Sequence, residues 1–180
     1  MHPYPSELAT ALKLDDGAEL ELRPIRGEDA DIEKEFVSGL SDRSMRLRFR
    51  GGMRTLSLAM VARFTQIDYD HEMAFVAVLQ GQAREAEVGV CRYITLPDRE
   101  TCEFAIVVGD AWQARGLGRR MMARLMQVAA SRGVKTMMGF VAADNRVMLE
   151  MCVDLGFSIE QEPGDPQTRR VVVSLEGMLR

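Results

Sequence analysis

Apolar residues recur along this chain in two rhythms, every second residue in some stretches and every third or fourth in others, and each change of rhythm marks a new element. Residues 1–16 carry two early prolines and little pattern before Leu8, Leu12 and Leu14, so they predict a tail with at most a short helix or strand. Leu20, Leu22 and Ile25 predict a first strand over 18–25, ended by Arg26-Gly27. Glu28-Asp29 places acids in the first turn of a helix that turns Ile32, Phe36, Val37 and Leu40 inward. Ser41 is a plausible cap for a second helix over 41–50, Gly51-Gly52 breaks the chain, and 56–64 predicts a third helix.

After a polar turn at 68–72, the runs 73–79 and 88–96 predict an antiparallel pair, and Pro97-Asp-Arg99 turns the chain into a further strand. In that strand Cys102, Phe104, Ile106 and Val108 alternate with Glu103, Ala105 and Val107, and Gly109-Asp110 stop it. Leu117, Met121, Met122, Leu125 and Val128 then recur at helical spacing as far as Arg132-Gly133. A strand at 136–141, a helix opened by Asn145 and closed at Gly156, and strands at 157–159 and 170–175 around Pro163-Gly-Asp-Pro166 complete the chain. This order predicts an α/β (α+β) domain with a mixed, mostly antiparallel sheet and helices on both faces. One domain over 17–180 follows the tail, and no internal repeat is visible.

The junction between the 101–108 strand and the next helix carries the most specific chemistry. Gln113-x-x-Gly116-x-Gly118 is a glycine-bearing loop that enters a helix, where unpaired backbone N–H groups and the positive end of the helix dipole favour a phosphate or pyrophosphate. Arg115, Arg119 and Arg120 add cationic side chains nearby. Met121 stands where a dinucleotide fingerprint needs its third glycine, and no Gly-x4-Gly-Lys-Ser/Thr occurs, so both of those phosphate motifs are excluded. Without a ligand, the same glycines would read as a tight turn with close packing.

Composition narrows the class further. The net charge of −4 and a pI near 5.3 disfavour wholesale nucleic-acid binding. Cys91, Cys102 and Cys152 have no metal-ligand spacing and read as reduced, buried thiols of a cytoplasmic protein; with only His2 and His71 besides, no metal site is expected. No N-terminal cationic segment precedes an apolar run, and no stretch reaches the roughly 18 apolar residues of a membrane helix, so neither export nor a membrane partner is expected. The thirteen methionines lie mostly on helix faces and read as core.

From Leu20 onward, the order of elements together with Gln113-x-x-Gly116-x-Gly118, Asn145 and Leu155-Gly-Phe157 resembles the GNAT acyltransferases. Ile25-Arg-x-Glu-Asp29, Arg46-Leu-Arg-Phe49, Ile67-Asp-Tyr-Asp-x-Glu-Met73, the 102–108 strand and Asn145-Arg-x-Met148 sharpen the resemblance to the catalytic domain of bacterial Pat-type protein lysine acetyltransferases. It implies acetyl-CoA as cosubstrate and a protein bearing an exposed lysine as acceptor, with acyl-CoA synthetases the implied substrates. It also implies that backbone amides at Val108 and over Gln113, Ala114, Arg115, Gly116, Leu117, Gly118 and Arg119 hold the cosubstrate, with Asn145 against its arm.

Moving an acetyl group to a lysine first requires a free amine, which costs on the order of 4 to 5 kcal/mol at neutral pH. A positioned base is the remedy. Glu103 is the expected base, on the less apolar strand face and at the position that the family assigns this role; a solvated charge or ion-pair partner is the plain alternative. Glu72 is a second acid, for substrate orientation or a water relay, or only a turn residue; Asn145 could equally be an N-cap.

Cys152 stands where many relatives carry a tyrosine that protonates the leaving thiolate, and packing is its expected role. Arginines 43, 46, 48, 50 and 54 could guide an acidic substrate or reach the phosphates, although such a run is more often a solvated helix face. Acetylation of a small amine, for example a polyamine or an antibiotic, and non-catalytic acyl-CoA sensing remain alternatives. Glu103 argues against the sensor, and the lack of a dedicated acidic pocket motif leaves the small amine open.

Overall fold

Eight strands form one open sheet in the computed structural model, which describes residues 3–49, 56–79 and 84–178. The strands are β1 (Thr10–Lys13), β2 (Glu19–Pro24), β3 (Glu72–Leu79), β4 (Glu87–Thr95), β5 (Thr101–Val108), β6 (Thr136–Ala142), β7 (Ser158–Glu162) and β8 (Asp165–Ser174). They lie in the order β1-β2-β3-β4-β5-β6-β8-β7, antiparallel throughout except where β5 meets β6. The helices are α1 (Ala30–Ser38), α2 (Asp42–Phe49), α3 (Leu58–Thr65), α4 (Leu117–Ser131) and α5 (Arg146–Asp154).

The strand alternation sorts these helices between two faces. Cys91 and Gly89 of β4 meet Met121 of α4, and Phe104 of β5 packs its ring 5.3 Å from Phe157 just beyond α5. On the opposite face Arg92 lies over Phe64 of α3, and Phe36 of α1 closes against Gly109. The expected mixed sheet with helices on both faces is therefore the observed one. Met121, Met122 and Met126 of α4 are fully buried, as the helix-face reading of the methionines predicts.

Differences from expectation concentrate where polarity hides a strand. Residues 1–16, expected as a tail, contribute a 3-10 turn at Ser6–Leu8 and the edge strand β1, which pairs with β2 from Thr10↔Leu22 to Lys13↔Glu19. β7 and β8 extend beyond 157–159 and 170–175, meeting around a turn in which Gly164 has φ 80°. Their added residues are mostly polar because β7 is a solvent-facing edge, so no apolar alternation announces them. Gly51-Gly52, Arg50, Arg54 and part of the β3–β4 connection lie outside the described residues.

Gly139 of β6 is required by packing. A Cβ there would lie 2.5 Å from Cε1 of the buried Phe104 ring. Behind β4, Glu33 of α1 and Glu87 are buried side by side, within reach of a hydrogen bond between their carboxyls once one is protonated. Burial, and for Glu87 the adjoining Glu33, pushes the two carboxyls above the usual range.

Gly139→Ala should cost about 1–3 kcal/mol in urea unfolding, because the Phe104 ring must move. A carboxyl whose pKa is raised by folding supports the folded state fully only below its unfolded pKa, and that support is lost as pH rises towards the folded value. Each extra proton held by the folded chain removes about 1.4 kcal/mol of stability per pH unit over that range. Glu87→Gln should therefore flatten the fall in stability from pH 5 to pH 8 and unfold at higher temperature than the parent at pH 8. A parent that gains stability relative to Glu87→Gln over the same interval would show that Glu87 is ionised in the folded chain.

Candidate active site

β5 and β6 pair in parallel through only three positions, Thr101↔Thr136, Cys102↔Met137 and Glu103↔Met138, and then separate. On its other side β5 stays paired with β4 from Thr95↔Cys102 to Gly89↔Val108. The N–H of Gly109 donates to the Val88 carbonyl, so strand alternation aims the N–H and C=O of Val108 into the gap beside β6. Nε2 of Gln113 donates to that Val108 carbonyl at 3.0 Å, which agrees with this direction.

The gap opens into a cavity of about 680 Å³ lined by residues 103–108 of β5, Phe140, Val141 and Ala142 of β6, the start of α4, Asn145 with one side of α5, and α2. The chain enters α4 through two left-handed residues, Ala114 at φ 57° and Gly116 at φ 77°. A Cβ on Gly116 would touch nothing, so backbone conformation rather than space selects glycine there. The first helical bond to the loop is Arg120 N–H to Gly116 C=O, which leaves the N–H groups of Leu117, Gly118 and Arg119 at the helix end for an anion.

Gln113, Ala114, Gly116, Leu117, Gly118 and Arg119 all line the cavity, but Arg115 does not. Its guanidinium stacks 4.2 Å from the Trp112 ring centre and pairs with Asp16. Arg120 pairs with Asp15 at 2.8 Å and donates to the Lys13 carbonyl, while Arg119 pairs with Asp154 at 2.8 Å. The cationic side chains expected around a phosphate are thus already matched to carboxylates, and the backbone is the part of the loop left for a ligand. Asn145 lines the cavity and is also an N-cap, its side chain accepting from Met148 N–H at 3.3 Å.

Glu103 is exposed and lines a second cavity of about 310 Å³ as well as the first; Arg48, Phe104 and Ala105 are the other shared residues. It therefore stands where a thioester in one space and an amine in the other could meet. Glu72 is opposite Ile94, which is opposite Glu103, so the two acids share a face two strands apart, about 10 Å at the usual strand spacing. Glu72 lines neither cavity and is held at 2.8 Å by Arg63. Cys152 is fully buried and outside both linings, with its thiol pushed up to about 11 by burial.

Sequence reasoning missed Asp110, Phe64 and Arg92. Asp110 anchors α2 by accepting from Ser41 N–H at 2.9 Å and from the hydroxyls of Ser41 and Ser44. Burial would raise its carboxyl, but those hydrogen bonds hold it below the usual range. Arg92 was hidden in an otherwise apolar strand, and only its oddness there could have marked it. Among the described residues no group of His, Cys, Asp and Glu could hold a metal ion, and no helix is long and apolar enough to cross a membrane.

The chain is similar to known proteins over most of its length. An acetyltransferase of Pseudomonas aeruginosa is 36% identical over 152 residues, covering 84% of this chain and 82% of that one. The crystal structure of the GNAT domain of S. lividans PAT superposes with a TM-score of 0.86 at 26% identity, covering 96% of this chain and 99% of that one. A spermidine N-acetyltransferase from Vibrio cholerae, solved with CoA and spermine, shares the fold at a TM-score of 0.71 and 18% identity over 89% of this chain and 98% of its own. The family model for the acetyltransferase (GNAT) domain matches residues 19–158, and the chain belongs to the GNAT acetyltransferases.

Proposed function

We propose that this protein is an acetyl-CoA-dependent protein lysine Nε-acetyltransferase of the cytoplasm, transferring acetyl directly from thioester to amine with Glu103 as general base. The observation that carries the reading is the position of the Glu103 side chain on the seam between the two cavities. Likeness to the S. lividans PAT domain favours a protein acceptor, whereas the spermidine enzyme shares only the fold. An acyl-CoA synthetase is the acceptor class that the family resemblance suggests.

The residues present suit a long phosphorylated thioester. The free N–H groups at Leu117, Gly118 and Arg119 suit its pyrophosphate, and Val108 N–H, on the open strand edge, suits an amide of the pantetheine arm. Bound there, acetyl-CoA supplies an activated acetyl group. From Val108 back to Glu103 the strand spans roughly 16 Å, which separates the phosphate end from the reacting end.

Glu103 then accepts a proton from the acceptor ammonium, directly or through one water, and frees the lone pair that attacks the acetyl carbon; the C–S bond breaks, the thiol leaves as thiolate or protonated through water, and the nitrogen gives up its second proton to become the amide. Asp110 fixes the start of α2, Asn145 caps α5, and together the two helices wall the donor cavity. Cys152 packs beneath it and takes no part in proton transfer.

Glu103→Gln should lower kcat by about 10²–10⁴ while leaving the acetyl-CoA Kd within a few-fold, measured by steady-state transfer and calorimetry. Labelled acetyl-CoA offered to lysine proteins and to small amines separates the functions: label on proteins supports the proposal, label on small amines alone replaces the acceptor, and binding without transfer indicates a sensor. Unchanged turnover in Glu103→Gln would remove the base assignment. Cys152→Ala should retain a near-parental rate, and a fall beyond tenfold at unchanged fold would place the thiol in the reaction.

A further inference from the structure

We propose that the smaller cavity contains an anion subsite for the acceptor, in which Arg48 and Arg92 hold a carboxylate flanking the amine that is acetylated, an acidic residue close to the target lysine. The proposal rests on reading Glu103 as the base and this cavity as the acceptor side.

Arg92 belongs to β4, two residues from Ile94, which lies directly opposite Glu103. Strand geometry makes Arg92 and Glu103 diagonal neighbours on one face, about 7–8 Å apart. Arg92 is only 7% exposed, yet it lines the cavity, and its buried Nε has no hydrogen-bond partner. Nη2 donates to the Phe64 carbonyl at 3.2 Å, and the guanidinium carbon lies 4.7 Å from the Phe64 ring centre. Arg48 reaches the same cavity from α2, stacked 4.8 Å from the Phe49 ring centre.

Among the described residues neither arginine forms an ion pair with a carboxylate. Of the nearby acids, Glu72 is held by Arg63, while Glu33, whose charge would favour both arginines, lies with Glu87 in a buried pair that burial drives towards the protonated form. Burial, and then repulsion from Arg92, presses Arg48 down to about 10. Two desolvated like charges facing one space are costly until an anion joins them. A guanidinium offers paired N–H donors that match a carboxylate's two oxygens.

The same charge opposes a polyamine, because a second ammonium would be brought towards Arg92 and Arg48. An acidic side chain within a residue or two of the lysine would instead place its negative charge near the arginines while the amine approaches Glu103.

The test measures binding apart from transfer. The full chain, saturated with desulfo-CoA, is titrated calorimetrically with three lysine peptides that differ only in flanking Glu, Gln or Arg, and with free lysine and spermidine. The Glu-flanked peptide should bind about tenfold more tightly than the Gln-flanked one, a difference of about 1.4 kcal/mol, with the Arg-flanked peptide and spermidine weaker still. In Arg48→Gln the Glu/Gln ratio should fall towards one, and Arg92→Lys, which keeps a cation, should retain part of it.

Free lysine binding more tightly than the Glu-flanked peptide would keep the carboxylate subsite but assign it to the acceptor's own α-carboxylate. Equal binding of Glu- and Gln-flanked peptides, strongest binding of spermidine, or binding of none would overturn the subsite. A Glu-flank preference that persists while Glu103→Gln turns over normally would retain the subsite and remove the base.

Discussion

The separation of β5 from β6 after Glu103↔Met138 is the constraint on which the rest of the site depends. A sheet that stayed closed would satisfy the β5 backbone on both sides and leave no polar edge for a ligand. Here the strands part, and the Phe104 ring lies over Gly139 where a side chain on β6 would push it away. The opening is kept from collapsing by helices anchored at its walls. Asp110 gathers Ser41 and Ser44 at the start of α2, and Asn145 caps α5 on the other side.

The electrostatics of the two cavities differ in kind. In the loop before α4 and in its first turn, Arg115, Arg119 and Arg120 are matched to Asp16, Asp154 and Asp15. The Arg119–Asp154 pair is largely solvent-exposed, so it contributes little to stability and can yield to a stronger anion. The helix-end N–H groups, by contrast, have no side-chain cap, because glycine stands at the N-cap of α4. An anion bound there is read first by backbone, which explains why glycine and chain geometry mark that cavity more clearly than charge does. In the smaller cavity the emphasis is reversed, since the cationic groups that line it are the side chains of Arg48, Arg63 and Arg92.

This difference also explains what was legible in the sequence. Alternation in 102–108 and the glycines at 116 and 118 reveal the strand, the loop and the helix that follows, because backbone requirements leave local signatures. Glu103 could be placed on the less apolar face for the same reason. The edge strand β1 and the extended β7–β8 hairpin were obscure because polar edge strands lack an apolar rhythm. Nothing local reveals that Arg48 and Arg92, far apart in the chain, face one cavity, or that Arg115 turns away to Asp16. Those facts arise from tertiary contact, as does the separation of Glu72 from Glu103 by Ile94.

A single strand thus performs three tasks through three different surfaces. Phe104, Ile106 and Val108 face α4 and α5, Glu103 and Ala105 face the opposite side with Arg92, and the backbone edge beyond Glu103 faces the gap. These assignments are coupled by the two-residue period. Shifting β5 by one residue against β4 would bury the Glu103 carboxylate beneath the α4–α5 layer and carry Phe104 out of its packing against Phe157. Core packing and the placement of Glu103 on its face are therefore settled by the same register. The hydrophobic burial that stabilises the sheet also opposes the slip that would dismantle the cavity wall, so Glu103 needs no separate device to hold it on its face.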